Sequence, residues 1–506
     1  MAVRRFASID IGSFETQMGI YEIKGKGGIS EVDLIRHEIA LGKDTYNTGR
    51  INYSLMKELI GVLQDFTRIM KSYKVTEYRA CATSAMREAE NRGIVLDQIK
   101  VRTGLDVRIL SNSEQRFISY KAIEAKNEQF QKIIKDGTAI TDVSFGSTQI
   151  TLYDKGRITG TQNFPLGVLR IREMLSGIAS GKEEREGILD ELLDNEFATF
   201  KKIYLKDTEI KCMIGIGKTI TLLFGKLSAL SGRDPKKDFV TMEEFMRGYE
   251  FVMKKTDMEL QDKLGVDGEI SSVLRPCMLI FRRAMEMLGA KEIWIPGTFL
   301  IDGMAAEYAD DNRLIRLRHD FTEDILEEAR SIAKRYRGST QHMQCVEENA
   351  KSIFSAMKGY HGLTERDRLL LELAAIMHNC GKFISIRNSA ECTYEIISAT
   401  EIIGITEKEQ KTIAEVARNI QEERFREKGS MRTAKLTAIL ELANSLDRSH
   451  KQKVKDYKFE VKDNALLITT HYPGDMTLEF TSFEQHREFF EEIFGIEPVL
   501  RQKKPR

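Results

Sequence analysis

Hydrophobic positions in the first part of the chain switch between a period of two and a period near 3.6, which predicts strands and helices in alternation. Residues 6–23 are apolar and β-branched on either side of an Asp-Ile-Gly-Ser turn, the pattern of two strands joined by a short connection. Residues 52–73 carry apolar side chains at helical spacing, 78–83 read as a strand, 93–103 as a helix stopped near Gly104, and 106–110 as strand again. A layered α/β domain accounts for this stretch. A second one opens at Thr138, where TAITDVSFGSTQITLYDKGRI repeats the order of SIDIGSFETQMGIYEI: apolar strand, Asp, small-residue turn, second strand. Asp10 and Asp142 fall at corresponding places. The echo predicts a duplicated domain whose two copies face each other across a cleft.

Beyond about Asp310 the pattern is helical and charged, with helices over 322–336, 367–377 and 407–423. The last residues return to strands at 457–461 and 465–470, an antiparallel pair, and then a helix near 483–494. The chain therefore divides into 1–128 and 129–312, two α/β domains, 313–452, a helical domain, and 453–506, a small α+β domain. The charge-rich helix over 182–196 reads as a solvated face, and the final RQKKPR as a frayed tail.

Composition narrows the function classes. Lys+Arg and Asp+Glu are each 77, so no overall field holds a nucleic acid or an anionic membrane, and any polyanion site is local. No apolar run approaches the roughly 20 residues of a membrane helix, and the start MAVRRFASIDIG has no signal-peptide core, so a cytoplasmic protein is expected. Cys81, Cys212, Cys277, Cys345, Cys380 and Cys392 are scattered without a CxxC pair and read as reduced core thiols.

Three turns are candidates for chemistry. At 10–13 backbone N–H groups can face phosphate oxygens and Asp10 can hold a hydrated magnesium ion. One such match is an ordinary hairpin turn. A second copy, Asp142 followed by Gly146, Ser147 and Thr148, strengthens it. The third, Gly215-Ile216-Gly217-Lys218-Thr219, follows a strand-like segment but lacks the glycine spacing of a Walker loop.

In order, these segments resemble the Ppx/GppA family of exopolyphosphatases and guanosine pentaphosphate phosphohydrolases. The stretches that carry the likeness are SIDIGSFETQMGIYEI, ATSAMREAEN, ILSNSEQRF, TDVSFGSTQITLYDKG, NFPLGVLRI, the turn at Gly215, and LELANSLDRSH. The resemblance implies an α/β fold of two actin-like (ribonuclease-H-like) duplicated domains, followed by an all-α HD-like domain and a small C-terminal α+β domain. It also implies an interdomain cleft that binds polyphosphate or guanosine penta- or tetraphosphate with magnesium and releases the terminal phosphoryl group to water. Carried over by position, Asp10 and Asp142 would serve magnesium. Ser13, Arg87, Gly146, Ser147, Thr148, Gly215, Gly217 and Lys218 fall at phosphate-contacting places. A homodimer is expected, with no nucleic-acid or membrane partner.

The departures from the family pattern bear on chemistry. Where the family has two adjacent glutamates, the second acting as general base, this chain has Glu114-Gln115; where a catalytic Glu ends the second loop, it has Gln149. Gln cannot take the proton of an attacking water near neutral pH, and a positioned base is worth roughly 10²- to 10⁴-fold in rate. Phe14 stands at a usual Asn, Phe145 at a usual glycine, and Lys218 where glycine is common. The resemblance thus implies impaired hydrolysis in a cleft that still binds. Glu114 is the candidate substitute base, with Glu15 beside the first loop; its plainer role is a carboxylate at a helix N-terminus. The alternative function is a non-catalytic sensor of phosphorylated nucleotides.

The helical domain is similar to HD-type domains, in which His residues and a His-Asp pair hold metals. Here the pair is His378-Asn379, the later His-rich stretch is Ser389-Ala390-Glu391-Cys392, and only His342, His378 and Asp447 remain. Three survivors without the bridging carboxylate predict a structural bundle, with an HD-type metal phosphohydrolase as the minor alternative. The literal His319-Asp320 reads as a helix cap.

Overall fold

A computed structural model of the chain describes residues 4–24, 28–176, 182–205, 209–231, 239–422 and 429–503. Its backbone separates into two compact units, Met1–Asp324 and Ile325–Arg506.

The first unit is built on two mixed sheets. β1 (Arg4–Ile11) is central in the first, antiparallel to β2 (Glu15–Lys24), which pairs with β3 (Gly28–Glu38), and parallel to β4 (Glu77–Ala82), which pairs with β5 (Val107–Ile109). The second sheet repeats the plan: β6 (Thr138–Val143) is antiparallel to β7 (Thr148–Asp154), itself paired with β8 (Arg157–Phe164), and parallel to β9 (Cys212–Ile216). Two short strands, β10 (Phe239–Thr241) and β11 (Glu292–Trp294), complete it beyond β9. β6 is buried along its whole length, which is why it reads as a run of apolar residues and threonines rather than an alternating pattern, interrupted only by the buried carboxylate of Asp142.

Helices cover these sheets with the apolar faces that the sequence spacing displays. α1 (Tyr53–Ser72) starts where the Asn52 side chain accepts from Leu55 N at 2.8 Å and buries Leu59, Leu63 and Phe66. α2 (Arg92–Thr103) stops at Gly104, whose φ of 75° suits a residue without Cβ. α3 (Asn112–Lys126) opens on a capping box and leads from β5 toward the second sheet. α4 (Lys182–Phe200) contains the charge-rich segment, and its Leu189, Leu193 and Phe197 are buried at four-residue spacing. That apolar stripe joins the second core, so the helix is solvated on its polar side only. α5 (Lys218–Ser231) and α6 (Gly268–Leu288) pack in the same core.

β3 is absent from the sequence reading. It is an edge strand with much of its length exposed, so its polar and apolar residues carry little period. Asp320 Oδ1 accepts from Thr322 N and Glu323 N, both at 3.1 Å, and starts α7 (Phe321–Arg335) as a cap.

The second unit contains α8 (Thr340–Ala356), α9 (Glu365–Met377), α10 (Glu407–Asn419), α11 (Met431–Ser445) and, after a hairpin of β12 (Lys458–Lys462) and β13 (Ala465–Thr470), α12 (Thr477–Phe494). A third strand, β14 (Glu497–Gln502), runs parallel to β13. This corrects the frayed-tail expectation in part: Arg501 and Gln502 sit opposite Thr469 and Thr470, because Pro498 and Leu500 alternate inward and bring the strand with them. Residue 423 at the end of the expected 407–423 helix and the last three residues of the tail lie outside the described residues. No helix among the described residues is long and apolar enough to cross a membrane.

Candidate functional site

Both candidate loops grow from the same local design. β1 ends in a tight turn in which Gly12 N donates to Glu15 O at 2.9 Å; a Cβ on Gly12 would stand 2.8 Å from that oxygen, so the turn requires glycine. β6 ends in a turn closed by Ser144 N donating to Ser147 O at 2.9 Å and by Ser147 N donating to Ser144 Oγ at 3.2 Å. In each lobe the Asp on the central strand lies in register with a Gln on the returning strand, Asp10 with Gln17 and Asp142 with Gln149. The duplication therefore extends to the amide partner of each carboxylate.

The two turns line one cavity of about 110 Å³. Of the sequence candidates it brings together Asp10, Ser13, Gln115, Asp142, Gly217 and Lys218. The other candidates lie elsewhere or are already committed. Arg87 donates to Leu110 O and Asn112 Oδ1, both at 2.5 Å, and so ties the start of α3 to the first sheet. Thr148 Oγ1 donates to Leu166 O at 2.6 Å, and Gly215 is a packing position where a Cβ would meet Ile293 Cδ1 at 2.6 Å. Gly146 is crossed by Tyr46 and Ser84, whose oxygens would stand 2.3 and 2.4 Å from a Cβ there. Ser147 stays within its own turn. Ser13 Oγ is itself bonded to Tyr46 Oη and Ser84 Oγ, each at 2.8 Å.

Glu114, expected as a substitute base, is engaged in a helix cap. Its carboxylate accepts from Ser111 N at 3.0 Å while Ser111 Oγ accepts from Glu114 N, and Arg108 stands 3.4 Å away. This capping role turns the side chain back along α3, whereas Gln115, one residue on, lines the cavity.

Comparison with known proteins places the chain in a family. The family model described as "Ppx/GppA phosphatase family" matches residues 20–311, and that of "Ppx/GppA phosphatase, domain III" matches 327–485. The chain belongs to the Ppx/GppA phosphatase family. A Ppx/GppA relative from Photobacterium profundum, a guanosine-5'-triphosphate,3'-diphosphate pyrophosphatase, is 22% identical over 483 residues, covering 92% of this chain and 91% of its own. Exopolyphosphatase 1 of Mycobacterium tuberculosis is 22% identical over 313 residues, covering 60% of this chain and 88% of its own. Two solved structures share the fold. The Aquifex aeolicus Ppx/GppA member has a TM-score of 0.52 at 22% identity, over 62% of this chain and 99% of that one. An exopolyphosphatase from Cytophaga hutchinsonii has 0.54 at 17%, over 61% and 98%.

Within this Ppx/GppA cleft the carboxylates are costly to ionise. Burial raises Asp10 to about 7, against the hydrogen bond from Gln17, and neighbouring Glu15 adds to the rise. Burial likewise raises Asp142 to about 6, opposed by Arg116. Arg116 is fully buried, its guanidinium donating to Thr161 Oγ1. Nothing in the sequence distinguishes it from a surface arginine on α3. Among the described residues, the buried oxygens Asp10 Oδ1 and Gln17 Oε1 of the cavity wall, and Gln149 Oε1 on the strand beside Asp142, have no donor.

Side chains of the two lobes meet on the cavity wall and outside it. The rings of Phe14 and Phe145 stack with centroids 4.7 Å apart, and Lys218 is ion-paired with Glu15. Arg170 of the second lobe bonds Glu88 of the first at 2.7 Å and lies 4.2 Å over the Tyr46 ring.

In the second unit His342, His378 and Asp447, the residues expected from the HD resemblance, lie side by side. His342 Nδ1 bonds Asp447 Oδ2 at 2.8 Å, and the His342 and His378 rings are 5.4 Å apart. His378 Nδ1 bonds Ala375 O, and its Nε2 lies 2.7 Å from Asn379 Nδ2. Burial and the neighbouring His342 push His378 down to about 3, so it stays a neutral imidazole. Among the described residues no group of three or more His, Cys, Asp or Glu side chains is placed to hold a metal ion.

Proposed function

We propose that the cleft binds the phosphoanhydride end of polyphosphate or guanosine pentaphosphate and hydrolyses it slowly. The observation that carries this reading is Gln115, which stands on the cavity wall with Asp10 and Asp142 at the place where the family resemblance puts the general base. An amide there orients a water through a hydrogen bond but does not take its proton, which forfeits roughly 10²- to 10⁴-fold in rate. Gly217 and the N-terminus of α5 offer backbone N–H groups and a positive helix end to a phosphate oxygen, with Lys218 as a point charge.

Magnesium fits this donor set. Asp10 and Asp142 are the carboxylates that would hold it, and the donorless oxygens of Asp10, Gln17 and Gln149 suit a hard cation. Two protein carboxylates do not make a preloaded site, and magnesium of this kind shares its shell with water and substrate phosphates. When bound, it would neutralise phosphate charge.

A second reading, a non-catalytic sensor of phosphorylated nucleotides, is favoured by the Phe14–Phe145 and Glu15–Lys218 contacts that join the two lobes at the cavity wall. We assign the helical part of the second unit to an HD-like scaffold without metal chemistry, since His378 Nε2 faces the Asn379 amide where a bridging carboxylate would be needed.

The test is phosphate release from polyphosphate and from guanosine pentaphosphate with magnesium, beside the Gln115→Glu, Gln149→Glu double variant, with binding measured in parallel. Binding with slow turnover, and faster turnover in the double variant, is the expected result. Absence of binding in both proteins overturns the reading of the cleft.

A further inference from the structure

The cation of the cleft already has a partner. Lys218, the first residue of α5, is ion-paired with Glu15 of the opposite lobe, and the two side chains are only 14% and 8% exposed. Its ammonium also lies 5.7 Å from the centre of the Phe14 ring, which is itself stacked on Phe145. Two consecutive residues of the first loop thus each hold a residue of the second lobe. Glu15 is fixed in turn by its backbone, since its carbonyl closes the Gly12 turn and the residue begins β2 opposite Glu38. Glu38 is a further carboxylate facing Lys218: burial and Asp267 raise it, Lys218 opposes them, and Glu15 adds to the rise. Lys218 is therefore the positive centre of an acidic neighbourhood that includes Glu15, Glu38 and, across the cavity wall, Asp10 and Asp142.

We propose that Glu15 is a specificity-determining residue of the cleft, an internal competitor whose carboxylate holds Lys218 until a multiply charged phosphate oxygen takes its place. The inference rests on the reading of the cleft as a phosphoanhydride site. A carboxylate carries one negative charge, so a monoanion that displaces it gains nothing at Lys218 and leaves Glu15 unpaired among other acids. A phosphate chain brings more charge to the ammonium and to the N–H groups of α5, and only such a ligand offsets the loss of the Glu15 contact. Selection thus operates through a penalty that weak anions cannot meet as well as through attraction. Opening the pair also frees Phe14 from Lys218, so entry of the ligand and parting of the loops are one event.

The test is titration calorimetry of the full-length protein with inorganic tripolyphosphate in metal-free buffer, for the wild type, Glu15→Gln, Lys218→Met and the double variant. Thermal unfolding without ligand is measured on the same four proteins. Glu15→Gln is expected to bind about tenfold more tightly or better, Lys218→Met more weakly, and Glu15→Gln to give no gain when Lys218 is absent. The unfolding midpoints are expected to be non-additive, which reports the pair itself. A Glu15→Gln, Glu38→Gln variant shows whether Glu38 has replaced the lost carboxylate, and Glu15→Asp, which keeps the charge and shortens its reach, covers the case in which Glu15→Gln folds poorly. If the wild type binds and neither Glu15→Gln, Glu15→Asp nor Glu15→Gln, Glu38→Gln binds more tightly, the competitor role is overturned and the phosphoanhydride reading stands. If none of the proteins binds while the midpoints remain coupled, the reading of the cleft falls and takes the competitor role with it.

Discussion

Gln17 Nε2 donates to Asp10 Oδ2 at 3.1 Å, and this amide is the hydrogen-bonding partner of a carboxylate whose other oxygen has no donor among the described residues. One neutral donor does not replace the water lost on burial, which is why Asp10 rises from 3.8 to about 7. A carboxyl group raised on folding stabilises the fold below its unfolded value, near pH 4, and that contribution is lost as pH rises to about 7. In metal-free buffer the stability of the first unit is therefore expected to fall over that window, by on the order of a few kcal/mol from this group. Asp10→Asn should flatten the decline. Chemical unfolding of both proteins at a series of pH values, with and without magnesium, checks it, and magnesium should bind more tightly as pH rises through about 7 because it displaces the proton.

Much of the site was legible because it is local and repeated. The Asp10 and Asp142 turns each occupy a few consecutive residues, and their likeness to each other announced the cavity they share. Gln115 was legible through its neighbours in ILSNSEQRF. Tyr46, Ser84 and Arg116 were not, since their roles arise from contacts 33 to 71 residues apart in the chain or from complete burial of a charge on α3. Arg87, Thr148 and Gly215 carry the residue types of phosphate ligands, yet each is engaged in holding strands, helices or packing together. Residue type at a family position tells which chemistry is available; only the fold tells whether a side chain is free to use it.

Glu114 separates these two meanings experimentally. As a cap, Glu114→Gln weakens the bond to Ser111 N and the dipole interaction of α3, a loss of about 0.5–1 kcal/mol. Urea unfolding should register that loss. Any residual phosphate release should be unchanged, whereas a base at this position would take the activity with it.

Gly215→Ala tests the third loop in the same way. The added methyl would stand 2.6 Å from Ile293 Cδ1 and 3.3 Å from the Phe281 ring in the second core. Overpacking of this kind costs about 1–3 kcal/mol. The midpoint of thermal unfolding is expected to fall, while tripolyphosphate binding by the folded fraction stays at its wild-type value.

The Phe14 and Phe145 rings stack on each other across the two loops, so substitutions at the two positions are expected to depend on each other. Phe14 is almost wholly buried, and Phe145 packs against the same core. Phe14→Asn alone leaves Phe145 without its ring partner, and Phe145→Gly alone strips the cover from Phe14 and loosens the turn between Ser144 and Ser147. Each should destabilise the fold, by about 2–4 kcal/mol for the larger truncation. Together they should cost less than their sum, with a coupling of about 0.5–1.5 kcal/mol, the usual worth of an aromatic pair beyond its buried area. Additive losses in the unfolding cycle would mean that the rings merely lie side by side. Coupled losses, accompanied by faster hydrogen exchange in residues 12–17 and 143–148 of the double variant, would mean that the two loops hold each other in place through this pair.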